Sequence, residues 1–472
     1  MVDIGAASPP LAAARGGSDA RAMEGKTRMD VAQADETALA DYEAFCRDGV
    51  HGPCQHPVWV RAWVAETGAD AVIVTVRRDG VPVLKLALEV VAKGPFRIAR
   101  FAGGNHANGN FAAVANGVAT PLSHADRAGI AAALRKARPD IDLVLLSRQN
   151  PHFEGVENAL SGLATMQSPN VSLAVNLAGG FEAVLARHNA PRKRKKFKYQ
   201  FNRFKQAGGH ALIEARTPDE VERLISTFFE LKGKSLLSKG IADAFAPAEI
   251  RAFFRALFRD ALAEREPPFL LHGVEVGGRI VAINGLSVTK ESVVCEFGTY
   301  CSADPKSSPG YFIDHTNIQQ ACERGKKIYD FSVGDEDYKR SWCDIETWQF
   351  ETLLPLSVKG HALSLYERAR AAAVHAVKSN HALWAFAKRL RARLADGLVQ
   401  QVLEHRALAL VAVRRHVRQV VRDHIQRGLL GIQPGTGGPQ RADHDEVLCS
   451  ALPLRQRLPP GGGVCRNFTG SV

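Results

Sequence analysis

Between Glu296 and Trp342 the chain gathers the groups best suited to chemistry. A loop of small residues, Ser302–Pro309, delivers Gly310 to a helix start, so Lys306, Ser307, Ser308, Gly310 and Tyr311 surround several unpaired backbone N–H groups. Those groups sit at the positive end of a helix dipole, a ready site for a pyrophosphate, and Lys306 adds a cation beside it. The plainer alternative is an ordinary helix capped by Ser307 or Ser308. Upstream, Glu296 falls on a strand, with Tyr300 four residues later expected on the same face. A desolvated carboxylate there would have a raised pKa suited to a general base, whereas a solvent-facing Glu on a half-buried sheet would have no such role. Tyr338 is a phenol that could serve as a general acid, or else packs with Trp342, four residues on, along one helical face.

A second cluster is basic. Arg192, Lys193, Arg194, Lys195 and Lys196, followed by Lys198, Arg203 and Lys205, put eight cations within fourteen residues. Phe197, Tyr199, Phe201 and Phe204 are interleaved with them. The run fits a nucleic-acid surface, a holder for an anionic substrate, or an amphipathic helix with its aromatics turned to the core. The interleaving favours partial packing together with an anionic substrate or surface.

These groups need a scaffold, and the patterning supplies one. Phe269–Val276, a Gly277-Gly278 turn, Arg279–Val288 and Val293–Cys301 read as a three-stranded meander. A helix from Tyr311 and a short strand Lys327–Phe331 follow, with a last strand at Thr347–Leu354. Thr217-Pro218-Asp219-Glu220 is a helix start, with Thr as cap, Pro at the first position and Glu at the third. Earlier, Val72–Val76 and Val83–Val91 flank an Asp79-Gly80 turn, and Phe96–Phe101, a helix at Ala125–Ala137 and Asp142–Leu146 complete a first unit.

The expected layout is a flexible leader (1–35), a first half (36–165), a second half carrying the chemistry (166–358), a helical segment (359–396) and an Arg-only, Gly/Pro-rich tail (397–472), largely disordered. The chain is 472 residues with a formal charge of +12, 46% hydrophobic and 23% charged, which excludes wholesale disorder. No stretch reads as a membrane span, and eight scattered cysteines without a CxxC pair fit neither a disulfide framework nor a zinc site. Neither HExxH, GxSxG nor a P-loop occurs. A cytoplasmic protein without a metal is the expectation.

Asp330-Phe331-x-x-Gly334-x-x-x-Tyr338-Lys339-x-x-Trp342, with the Ser-Pro-Gly helix start and the upstream basic segment, resembles the CelD/BcsL-like branch of the GNAT acyltransferases. That branch is similar to the FemABX peptidyltransferases. The resemblance spans roughly residues 40–355, and His56-Pro57-x-Trp59 with Trp63 looks like the family's opening. It implies an α/β (α+β) fold of two tandem GNAT-like halves, each a mixed, mostly antiparallel sheet flanked by helices. It also implies transfer of an acetyl or other acyl group from acyl-CoA to an amine or hydroxyl, with Glu296 and Tyr338 catalytic and Lys339 among the acceptor-binding cations. The acceptor implied is a small molecule or sugar nucleotide of envelope polysaccharide synthesis. Two rivals are a FemABX-type aminoacyl transferase using charged tRNA and a non-catalytic envelope-assembly protein. One departure stands out: GNATs commonly carry Arg/Gln-x-x-Gly-x-Gly/Ala, whereas Lys306-Ser-Ser-Pro-Gly310-Tyr311 offers a single glycine.

Overall fold

A computed structural model describes residues 27–117, 121–301 and 306–379; the expected tail, the end of the helical segment and most of the leader lie outside the described residues. The first half begins with β1 (Thr27–Gln33), α1 (Glu36–Asp48) and α2 (Pro57–Thr67). A meander follows, made of β2 (Ala71–Arg78), β3 (Val81–Lys93) and β4 (Phe96–Phe101). After the short β5 (Ala113–Val114) come α3 (His124–Ala137) and β6 (Leu143–Gln149), then a small hairpin of β7 (His152–Phe153) and β8 (Val156–Glu157). A connection of β9 (Met166–Asn176), α4 (Gly180–Arg187) and α5 (Ala190–Gln206) leads to the second half.

There the order recurs: β10 (His210–Glu214), α6 (Pro218–Leu237), α7 (Ala248–Ala261), β11 (Phe269–Val276), β12 (Arg279–Val288), β13 (Ser292–Tyr300), α8 (Pro309–Glu323) and β14 (Ile328–Val333). The one-turn α9 (Asp337–Arg340), β15 (Ile345–Pro355) and α10 (Val358–Ser379) close the described chain. Strand, two helices, meander, helix, strand therefore occurs twice. The fold is α/β, with a mixed, mostly antiparallel sheet flanked by helices.

The strands form one sheet in the order β1-β2-β3-β4-β6-β15-β9-β14-β13-β12-β11-β10. The two copies thus run outward in the same internal order from a shared centre. β15 joins them by pairing antiparallel with β6 on one side and β9 on the other. On one face the equivalent helices α2 and α7 meet: Trp59 and Trp63 lie 5.0 and 4.9 Å from the Phe253 ring in edge-on contacts. Such contacts add to the burial of large aromatic area. One aromatic core therefore spans both copies.

Two expectations change. The last part of the leader is a strand, because β1 pairs with β2 from Thr27↔Arg78 to Gln33↔Val72. The second copy starts at β10 rather than at residue 166, the intervening β9–α5 segment being a connection. Both missed strands are at the sheet edges and only partly buried, which removes the alternation that marks a strand in sequence. The basic run is helical throughout, within α5. The Thr217 cap stands as read, a capping box with Glu220 and Pro218 in the first turn. Among the described residues no helix is long and apolar enough to cross a membrane.

Candidate functional site

The second copy contains an opening in its sheet. β13 and β14 run parallel but pair only from Ser292↔Ile328 to Val294↔Asp330. Beyond Val294 the side of β13 facing β14 has no strand partner among the described residues. At the same level the β12–β13 register shifts, Gly285 facing Phe297 and Leu286 facing Cys295. Glu296 is the extra residue of this bulge, a device that bends a strand and re-aims a side chain.

The bulge also inverts the phase of β13. Cys295 packs with the α8-side core, while Phe297 contacts Phe228, Phe254 and Phe258 of α6 and α7. Glu296 faces this second side, where its Oε1 accepts a 2.6 Å hydrogen bond from Ser287 Oγ. Tyr300, expected on the same face as Glu296, lies instead over Gly310 on the α8 side: a Cβ at Gly310 would meet Tyr300 Cδ1 at 2.9 Å. A simple four-residue count fails across a bulge.

Glu296 is not the solvated carboxylate of the plainer reading. Its Oε2 is buried without a hydrogen-bond partner. Burial, offset by Ser287 and reinforced by Asp330, pushes its pKa up to about 8. Asp330, the last residue of β14 paired with β13, accepts from Ser172 Oγ at 3.1 Å and the Ser332 amide at 2.7 Å, and burial raises it too. On the α8 side, Asp314 accepts from Asn284 Nδ2 at 3.1 Å, and burial pushes its carboxyl to about 7. Tyr338 is half exposed beside this carboxyl; burial of its phenol and then the Asp314 charge raise its pKa well above the ordinary value. It does not share a helical face with Trp342, because α9 ends at Arg340. A protonated phenol thus stands on the α8 side of the opening, opposite the base on the other side.

Lys339 is placed differently from its expected acceptor-binding role. Its buried ammonium donates to Val333 O at 2.8 Å and Ser332 O at 3.4 Å, and pairs with Glu336 at 3.1 Å. With all three donors taken, it braces the turn after β14.

The start of α8, the expected anion site, has an open cap. Ser308 is the N-cap residue but makes no side-chain cap bond, and no acid lies in the first turn. The Ser308 amide donates to Gln200 Oε1 at 2.9 Å, and the same side chain donates to Lys306 O at 3.4 Å. Among the described residues none accepts from the Gly310 or Tyr311 amide. Ser307 is half-buried and Lys306 exposed beside this turn. Lys196 stands 4.1 Å over the Tyr311 ring, whose hydroxyl donates to Lys193 O at 3.0 Å.

The basic run divides by helical phase. Lys193, Phe197, Gln200 and Phe204 follow a 4-3-4 spacing and face inward. Phe197 stacks on Phe312 at 4.7 Å, and Lys193 Nζ lies 3.3 Å over the Trp342 ring, a cation–π contact. Burial, then neighbouring Lys196 and Arg192, lower the Lys193 amine to about 8. Arg192, Arg194, Lys195 and Lys196 are exposed, Arg194 pairing with Glu182. Lys193 is therefore a packing cation, in contrast to its expected place in a solvated acceptor set.

Sequence reasoning missed Asp314, Asn284 and Lys232. Lys232 Nζ donates to Gly298 O at 3.1 Å beside the opening, and burial lowers its pKa. The signal was available, since Lys232 continues the apolar 221/225/228/229 face of α6. A cation on such a face needs a buried partner.

Residues 191–340 match the family described as Acetyltransferase (GNAT) domain. The match begins in α5 and ends with α9, enclosing the opening, the α8 turn and both expected catalytic residues. No curated protein matches the chain. Among solved structures, FemX is 13% identical at a TM-score of 0.44, covering 69% of this chain and 98% of its own. The C-terminal domain (DUF2156) of a putative lysylphosphatidylglycerol synthetase from Agrobacterium fabrum is 12% identical at 0.42, covering 71% and 97%. A tandem GNAT protein from the clavulanic acid biosynthesis pathway is 13% identical at 0.40, covering 70% and 99%. Likenesses this distant identify no activity.

Proposed function

We propose that this acyltransferase, carrying its GNAT domain at residues 191–340, moves an acyl group from acyl-CoA to an amine through the opening between β13 and β14. The observation that carries the reading is the pair of faces. An uncapped, acid-free helix start and a protonated phenol lie on one side, and a buried carboxylate on a bulge lies on the other. The α8 turn would hold the pyrophosphate with the Gly310 and Tyr311 amides, and Lys196 and Lys306 would add positive charge. Unpaired β13 amides facing the gap would polarise the thioester carbonyl. Glu296 would take the proton of the attacking amine as the C–N bond forms, oriented by Ser287. As the C–S bond breaks, Tyr338 would pass its proton to the departing sulfur and regain one from solvent. A hydroxyl acceptor, including a sugar or sugar nucleotide as the CelD/BcsL-like resemblance implies, needs the same base. A cytoplasmic location follows from acyl-CoA use.

Calorimetric titration with acetyl-CoA, followed by thiol release on adding amines, tests this reading. Neither binding nor acceptor-dependent release would exclude it. One observation favours a second donor. No acidic residue occurs between Ala190 and Gln206, so the exposed cations of α5 suit a polyanion such as charged tRNA. Salt-sensitive tRNA retention without acetyl-CoA binding would transfer the assignment to aminoacyl transfer.

A further inference from the structure

The face on which Glu296 lies is walled in part by the first copy, and that wall contains an unusual cation. Arg148, next to last in β6, has φ +55°, in the left-handed region that costs an L residue energy. The conformation is held by the Asn110 amide, which donates to Arg148 O at 2.8 Å. Arg148 is half-buried, and desolvation lowers its pKa. Its Nη1 donates to two neutral oxygens, Asn105 O at 3.0 Å and Asn108 Oδ1 at 2.6 Å. Glu351, itself pushed up by burial, is the carboxyl whose charge acts on it; no ion pair joins Arg148 to a described carboxylate. A guanidinium carries five N–H donors in a fixed fork, so Nε and Nη2 remain for an oxyanion.

A short chain of contacts runs from Arg148 to the base. Asn108, which holds Arg148, accepts through its carbonyl from Cys54 Sγ at 3.8 Å. Two residues on, the His56 ring meets Phe269 edge-on at 5.7 Å. Phe269 pairs with Ser287, whose hydroxyl holds Glu296. The first copy thus reaches across the shared face towards the catalytic opening of the second.

We propose that the Arg148 fork binds the far end of the acceptor, which carries a carboxylate or phosphate in the same molecule as the amine presented to Glu296. The proposal rests on the acyl-transfer reading for the identity of the acceptor, while the oxyanion site itself is testable without turnover. The full chain, with CoA present, is titrated with ethanolamine, phosphoethanolamine and β-alanine at constant ionic strength. One of the two anionic amines should bind at least about tenfold more tightly than ethanolamine, and which one does so identifies the oxyanion. Arg148→Gln should bring that ligand down to the ethanolamine level and leave CoA affinity unchanged. Arg148→Lys keeps the charge without the fork, should fall between the two, and decides the matter if the Gln variant does not fold. No preference in the parent chain, or one unaltered in both variants, overturns the proposal. Absence of CoA binding and thiol release, with an Arg148-dependent anion preference intact, would instead remove the acyl-CoA reading and leave the site standing.

Discussion

The two copies of the repeat differ most at the positions where chemistry would occur. In the second, the parallel ladder ends at Val294↔Asp330 and the bulge places Glu296 two residues on. In the first, the ladder ends at Ala99↔Val144, so the corresponding residues are Val144 and Phe101, both in an apolar core. The β3–β4 register runs from Leu88↔Phe101 to Lys93↔Phe96 without a break. The helix starts differ in the same sense. Asp126 closes α3 on itself: its carboxylate accepts from the Ser123 amide and hydroxyl at 2.9 Å, and its own amide donates to Ser123 Oγ at 3.2 Å. The α8 start has neither cap bond nor acid. A carboxylate on the dipole's positive end occupies the place an anionic ligand would take, so one copy satisfies its helix internally while the other leaves it open. The repeat kept its frame twice, but a carboxylate-lined gap and an uncapped helix start only in the second copy.

This contrast can be tested, most severely at the base. Glu296→Gln should lower turnover about 100- to 10,000-fold. Because the ionised form must act, the parent rate should climb with pH through about 8, and the variant should lose that rise; a pH–rate profile unchanged by the substitution would remove Glu296 from the mechanism. A smaller effect is expected at the α8 turn. A Cβ at Gly310 displaces the Tyr300 ring, and Gly310→Val should weaken acetyl-CoA binding at least tenfold, about 1.4 kcal/mol. Calorimetry on the folded variant measures this, and undiminished affinity would place the cofactor elsewhere.

The third expectation concerns stability. The folded-state pKa of Glu296 is raised from 4.5 to about 8, so its contribution is fully present below the unfolded value and is lost as pH rises through the folded one. Glu296→Gln should therefore gain on the parent between about pH 5 and pH 9, by about 1 kcal/mol or more at the upper end. Melting curves across that range would show a constant difference if the carboxyl were solvated. The smallest effect belongs to the first copy. Ser123→Ala should cost about 1 kcal/mol of stability and leave acyl-CoA affinity untouched; a loss of affinity there would mean that the first copy also binds the cofactor.

Local chemistry alone determined much of this protein. The strands Phe269–Val276 and Arg279–Val288 are legible to the residue because Gly277 and Gly278 sit at φ +54° and +78° in the turn between them. Only glycine takes such values without strain. The Thr217 box and the small-residue entry into α8 are legible for a similar reason: capping groups act within one turn of the helix they start. The edge strands β1 and β10 lacked such signals, since their pairing comes from partners about forty residues or more away. Lys193 reads as a solvated cation until helical phase and the Trp342 ring give it a buried place. Tertiary structure decided the rest. Register, which depends on two strands at once, made Glu296 a bulge residue and turned Tyr300 to the opposite face. The joining of two repeats through β15 brought Arg148 onto the face that Glu296 occupies. A residue's type and spacing carry its chemistry, but its burial and its partners belong to chain segments it meets only in the folded state.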